Sequence, residues 1–468
     1  MLLLFLIALI VIFLVHQLWY RRLGLPPGPF PLPIIGNFHS FWWKQRWEHK
    51  FLEWRSQYGN VYTYWFGFNP IIAINDYKTA HDLFVKDGET FADRAATEPL
   101  DHATRGGLYG IIESSGPLWK DQRRFALRVL RDFGLGKNMM ENRILDEIQT
   151  LFANTDREIE TGVEEIDFHH HTDIAVGSVI NNVVNGFSFT ANNKEKEFYK
   201  LKDTTEKMMK SFARPSVNLA SIYPLLAKLP PCKEPFNELV SLFNEVTYFL
   251  DGIIDEHIKT QDYSEEAEPR DFIDAYLTEM NRCKERGAVA FLIRYPEAQK
   301  RMQAELDQVV GNDQMVTVSH KTQLPYTQAV VMELQRVANI LPQNVPRRTT
   351  RDVEVAGYKL KKGTVILPQI SVILIDPNLY KDPREFNPAR FIDEKGQLKR
   401  ADEVIPFSIG KRQCLGEGLA RMELFLFIAN IFHKYEFLPG KQPPTLNKAT
   451  LGFSMATEAY KCKLKKRF

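Results

Sequence analysis

The chain has 468 residues, 44% of them hydrophobic and 25% charged, which supports one large domain or a few ordinary ones and excludes a disordered chain. The formal net charge is only +2, so no global field argues for nucleic acid as a partner. Four cysteines, Cys232, Cys283, Cys414 and Cys462, lie far apart without C-x-x-C spacing, which fits a reducing compartment rather than a disulfide framework.

Residues 1–15 are unbroken apolar sequence, extended through His16, Gln17 and Leu18 to Trp19 and Tyr20. That length can just span a bilayer. A cleaved signal peptide would carry a basic n-region and a small-residue cleavage site, and this segment has neither; Arg21 and Arg22 stand on its far side instead. Residues 1–20 are therefore expected to be an uncleaved membrane anchor, with the rest of the chain in the cytosol. Residues 21–37 form a proline-rich hinge, with Pro26, Pro27, Pro29, Pro31 and Pro33 unable to continue the anchor helix.

From residue 38 to 468 no low-complexity linker, repeat or composition shift marks a further boundary, and helical patterns dominate. Residues 61–75 read as a hairpin around Gly67 and Pro70, with Asp76 as N-cap of the next helix. Residues 353–368 read as strands punctuated by Gly357 and Gly363. The expected class is mainly α with small β-sheets. Residues 216–231 (SVNLASIYPLLAKLPP) are apolar but too short to span a bilayer, and read either as a buried loop or as a segment dipping into the membrane surface.

The chemistry sits in residues 406–421, PFSIGKRQCLGEGLAR, a glycine-containing loop that delivers Cys414 to the start of an apolar helix. A cysteine there has its thiolate stabilised by the helix dipole and by unpaired backbone N–H groups. Gly410 lets the loop turn sharply, and Gly416 lets the helix lie close to a flat ligand. A lone cysteine before a helix is usually a buried structural thiol, but here Phe407, Gly410, Arg412, Cys414 and Gly416 together complete F-x-x-G-x-R-x-C-x-G.

That pattern resembles the haem-binding loop of the haem-thiolate monooxygenases, the cytochromes P450. Glu333 and Arg336 fit the family's E-x-x-R helix, and 386–391 (FNPARF) fits the segment whose arginine, Arg390, joins them in a buried network, although Ala389 stands where the family usually has an acid. Trp119 and Arg123 match a W-x-x-x-R pair, and the anchor and hinge look like the microsomal branch. The resemblance implies that Cys414 is the thiolate ligand of the iron of haem b. It further implies that Arg94, Trp119, Arg123, Arg347 and Arg412 hold the propionates, with Arg348 adjacent as a rival to Arg347. A thiolate ligand pushes electron density onto iron and favours O–O cleavage.

The family's reaction puts one oxygen atom into a small lipophilic substrate, with electrons from NADPH through a reductase, on the endoplasmic reticulum membrane. Arg124, Arg128 and Arg131 fall on one helical stripe, which resembles the docking surface for that reductase and reads equally as a solvated face.

The family also has a long distal helix with an A/G-G-x-D/E-T motif, whose acid and alcohol deliver protons. Residues 271–280 look like the segment before that helix and 295–298 (YPEA) like the start of the next. Only 281–294 lie between, without a threonine, and a helix of roughly 30 residues would be about 45 Å long. A splice or gene-model deletion is favoured over a non-oxygenating relative or a differently built relay. No catalytic acid–alcohol pair is identifiable. A peroxide-rearranging haem enzyme and a catalytically inactive haem binder stand as alternatives.

Overall fold

The computed structural model describes all residues except 42–46, 96–97, 133–137, 213, 261–285, 313, 341–343, 443, 445–447, 452–453 and 458–459. The helix Leu2–Leu18 buries none of its residues and, with the turn Tyr20–Arg22, is long and apolar enough to cross a membrane.

The hinge is docked rather than free. Thr63 donates from its amide to the Pro27 carbonyl at 2.9 Å and from its hydroxyl to the Pro26 carbonyl at 2.8 Å. At Gly28 a Cβ would lie 1.8 Å from the Thr63 carbonyl oxygen, so this close approach requires glycine.

The expected hairpin is present as β1 (Val61–Phe66) and β2 (Asn69–Ile74), paired antiparallel from Val61 opposite Ile74 to Phe66 opposite Asn69. Gly67 turns between them at φ +61°. The Asp76 carboxylate accepts from the Thr79 amide at 2.9 Å, as an N-cap should. β3 (Asp93–Arg94) and β4 (Arg347–Arg348) join the same sheet; β5 (Val353–Val355) and β6 (Tyr358–Leu360) make a separate hairpin, and β7 (Val365–Pro368) lies parallel to β2. The order of the five-stranded sheet is β1-β2-β7-β4-β3.

Helices make up the rest of the core. The helix Pro325–Ala338 begins with proline at its first turn, where the missing N–H costs nothing, and the Glu305 carboxylate accepts from the Tyr326 and Thr327 amides at 2.7 Å each. It ends at Asn339 in the left-handed conformation. The helix Glu417–Lys434 is apolar on nearly every side and is correspondingly buried, from Ala420 to His433.

Pro325–Ala338 carries the E-x-x-R pair, fully buried. Arg336 holds Glu333 through Nε at 2.7 Å and Nη2 at 2.8 Å, and its remaining donors reach the carbonyls of Leu374, Pro383 and Glu385. Arg390 joins through Nε to Glu333 at 3.1 Å and satisfies its other donors on the carbonyls of Lys381, Asp382 and Glu385. Ala389 itself is exposed, and Arg390 keeps its place in the network without an acid there.

Residues 216–231 divide. The helix Pro215–Ile222 buries Val217, Ala220 and Ser221, whereas Leu225 and Leu229 beyond it are 75% and 54% exposed. The helix Arg286–Arg294 buries Ala290 to Ile293 against the main core, and Pro296–Val310 follows at once, as YPEA predicts. Residues 271–280 and 281–285 lie outside the described residues.

Breaking a buried ion pair leaves an uncompensated charge. Arg336→Ala is expected to cost about 3–5 kcal/mol of unfolding free energy, measurable by chemical denaturation.

Candidate haem-binding site

The cysteine loop is pinned from both ends. The Cys414 amide donates to the Phe407 carbonyl at 2.9 Å, and Cys414 is a free thiol of intermediate exposure just ahead of the helix that starts at Glu417. Gly410 takes φ +74°, and a Cβ there would lie 1.7 Å from the Phe84 carbonyl oxygen, so conformation and space both demand glycine. Gly416, the N-cap, has φ −85°, which any residue adopts; its backbone gives no reason for glycine.

The five expected propionate residues come together from four parts of the chain. Sheet register sets Arg94 directly opposite Arg347. Arg347 is 1% exposed while Arg348 is exposed, which settles which of the neighbours points inward. Arg412 stacks 3.8 Å from the centre of the Trp119 ring and donates to the carbonyls of Ala92, Ile111 and Ser114. Arg123, one turn after Trp119, donates to the Gln413 carbonyl at 2.8 Å, beside the cysteine. Arg94 reaches the Ile112 carbonyl at 2.8 Å and that of Val345 at 3.2 Å.

Like charges directly opposite each other in a sheet repel, and these are also desolvated. Burial, then Arg94 and Arg412, drives Arg347 well below the usual arginine value. Burial pushes Arg412 down to about 9, with Arg94 adding to it, and pushes Arg94 down to about 10. Arg123 is also lowered by burial, with Cys414 opposing. The nearby Glu113 carboxyl is itself pushed up by burial and by Asp101, which makes it a weak counter-ion. Among the described residues, Arg347 Nε and Nη1 have no hydrogen-bond partner, nor has the buried Nε1 of Trp119. Buried donors normally find acceptors, so this cluster fits a group carrying two carboxylates.

Three residues here carry weight that motif reading passed over. The Ser408 hydroxyl accepts from Arg347 at 2.9 Å and from the Asn344 side chain at 3.1 Å, with Ser408 at φ +68°. Phe84 lies under Arg347, 4.5 Å from the guanidinium to the ring centre. Ser408 fills an unspecified position of the motif, and nothing in the sequence marks Asn344 or Phe84.

On the helix Gly116–Asp132, Arg124 and Arg128 face solvent. The side chain of Arg131 lies outside the described residues.

Comparison with known proteins decides the family. A profile described as Cytochrome P450 matches residues 26–289 and 286–464, nearly the whole chain. The chain belongs to the cytochrome P450 family. Cytochrome P450 2J2 of Homo sapiens is 35% identical over 466 residues, covering 93% of this chain and 89% of that protein. Cytochrome P450 2J1 of Oryctolagus cuniculus is 34% identical over 478 residues, covering 96% and 92%. Cytochrome P450 2M1 of Oncorhynchus mykiss is 31% identical over 499 residues, covering 98% and 97%. Members of this family are haem-binding monooxygenases, and the α-rich fold with small sheets agrees with it.

Two outcomes follow. Gly410→Ala is expected to destabilise the fold by at least about 2 kcal/mol and to reduce haem retention, read from the melting temperature and the haem-to-protein ratio. Propionates attract only protonated guanidiniums, and in the haem-free protein Arg412 becomes neutral above about 9 and Arg94 above about 10. Haem affinity, titrated against pH, is therefore expected to fall as rising pH deprotonates Arg347 and, above about 9, Arg412, by up to about tenfold per pH unit for each group.

Proposed function

We propose that this P450 is a haem-thiolate monooxygenase that inserts one atom of molecular oxygen into small lipophilic substrates, with electrons from NADPH through a reductase. The observation that carries it is the buried cluster of Arg94, Arg347 and Arg412 beside Trp119, with donors left unpartnered one loop from Cys414. Cys414 is the proposed iron ligand; Arg94, Trp119, Arg123, Arg347 and Arg412 are the proposed propionate holders, with Phe407, Gly410 and Gly416 shaping the loop. When bound, the haem supplies the redox chemistry of oxygen activation. The chain's own part is to hold the carboxylates, aim one thiolate at the ring, and tie the helix Pro325–Ala338 to 381–390 through Glu333, Arg336 and Arg390.

Association with a membrane and with a reductase goes with the family. In this chain the proposed anchor is 1–20, on the endoplasmic reticulum with the catalytic domain in the cytosol, and the exposed leucines of 216–231 give a second contact. The proposed reductase surface is the stripe of Arg124, Arg128 and Arg131. It lies on the helix whose other side presents Trp119 and Arg123, which would put the electron donor close to the haem.

The distal side is proposed to be incomplete, by an internal deletion near 281–294. Two observations support this. The family profile matches in two segments that meet at 286–289, and the alignment to the Oncorhynchus mykiss relative runs over more positions than this chain has residues. Family membership favours a monooxygenase lineage over a peroxide-rearranging enzyme.

The test is the spectrum of the reduced protein with carbon monoxide. Thiolate-type absorption that becomes imidazole-like in Cys414→His is expected, and absorption unchanged by that substitution would refute the ligand assignment. A chimera taking the corresponding distal segment from the Homo sapiens relative is expected to bind haem at least about tenfold, or about 1.4 kcal/mol, more tightly than this chain. Equal affinity together with NADPH-driven turnover by the unmodified chain would overturn the deletion.

A further inference from the structure

At the domain end of the anchor helix lies a partly open cavity of about 290 Å³, lined by Leu18, Trp19, Arg22, Leu23, Pro27 and Trp65 among others. It is assembled from three pieces: the end of the membrane-crossing segment, the proline hinge, and β1. The docking of Pro26 and Pro27 on Thr63 holds those pieces together. The volume is at the small end of ligand sites, suited to a headgroup and glycerol rather than a whole lipid.

Its chemistry is one-sided. Apart from Arg22 the lining is mostly apolar, and neither Arg21 nor Arg22 forms an ion pair among the described residues. Arg22 makes one long hydrogen bond, 3.3 Å to the Gly28 carbonyl, and its guanidinium lies 5.1 Å from the Phe30 ring. Arg21 is engaged elsewhere, on the Phe68 carbonyl and the face of Trp65. No acidic residue occurs in the sequence before Glu48, and none from 54 to 75, so no carboxylate of these stretches can neutralise the site. Because Leu18, Trp19 and Arg22 belong to the span's own end, the cavity sits at headgroup depth.

We propose that this cavity binds one anionic phospholipid of the domain-side leaflet, its phosphate on Arg22 and its glycerol region on the apolar wall. The proposal rests on the reading of 1–20 as a membrane anchor. A guanidinium suits a phosphate by paired N–H donors. Diffuse attraction of anionic lipid takes clusters of 4–8 basic residues, and here there are two, so selectivity must come from the shaped site. A bound lipid would tie hinge, anchor and β1 into one unit and fix how the domain stands on the membrane.

The full-length protein is reconstituted in vesicles of phosphatidylcholine and phosphatidylserine, extracted in detergent, and examined by native mass spectrometry. Wild type is expected to retain one phosphatidylserine per chain. Arg22→Gln removes the charge and Leu23→Trp fills the cavity while keeping it; each is expected to cut retention by about tenfold. Arg400→Gln, at an exposed arginine far along the chain, is expected to leave retention unchanged. Equal retention in all four proteins, an equal loss in Arg400→Gln, or displacement by inorganic phosphate would overturn the proposal. Co-flotation with vesicles is scored separately: failure of wild type to float removes the anchor reading itself, whereas normal flotation without a retained lipid removes only the lipid site. Melting temperatures confirm that the variants fold.

Discussion

Three guanidiniums held together out of water dominate the structure around Cys414. Arg94 and Arg347 face each other across paired strands, and Arg412 comes in from the cysteine loop over Trp119. Each reaches backbone carbonyls of segments remote in sequence, so the arginines cross-link the sheet, the segment before the helix Gly116–Asp132, and the loop that carries Cys414. Their mutual repulsion and desolvation are a standing cost. A dianionic ligand at the proposed site would offset that cost, so haem binding and stability would be linked.

The contrast with Arg336 separates two uses of a buried arginine. Arg336 has its hydrogen bonds completed by Glu333 and three carbonyls, and it needs no further partner. Arg347 is as deeply buried yet keeps Nε and Nη1 unpartnered. The first arrangement is finished by the chain alone and serves as scaffold. The second leaves donors open among the described residues, where the proposed propionates would bind.

This division also orders the function. The proximal side is built from local motif geometry, a rigid loop ahead of a buried helix, and is assembled in the chain as it stands. The proposed deletion, near 281–294, falls outside these motifs. The hinge docks on β1 through Thr63, so the apolar N-terminal helix is continuous with the sheet that sets the arginine register.

The sequence by itself determined the elements whose chemistry is local: the apolar span of 1–20, the hairpin around Gly67, the Asp76 cap, and the cysteine loop with its glycine at 410. Each depends on hydrophobic length, turn conformation or capping within a few residues, and those are readable without a fold. Tertiary structure decided what depends on direction and on distant partners. Strand pairing chose Arg347 over Arg348, because alternate residues of a strand face opposite sides. It recruited Ser408, Asn344 and Phe84 around that arginine, and it completed Arg390 with carbonyls of Lys381, Asp382 and Glu385. Cys414, alone among the cysteines in carrying the haem-loop motif, was legible from its neighbours in sequence; the arginines were named only through the family resemblance, and their burial beside one another came with the fold, because it joins segments more than 200 residues apart.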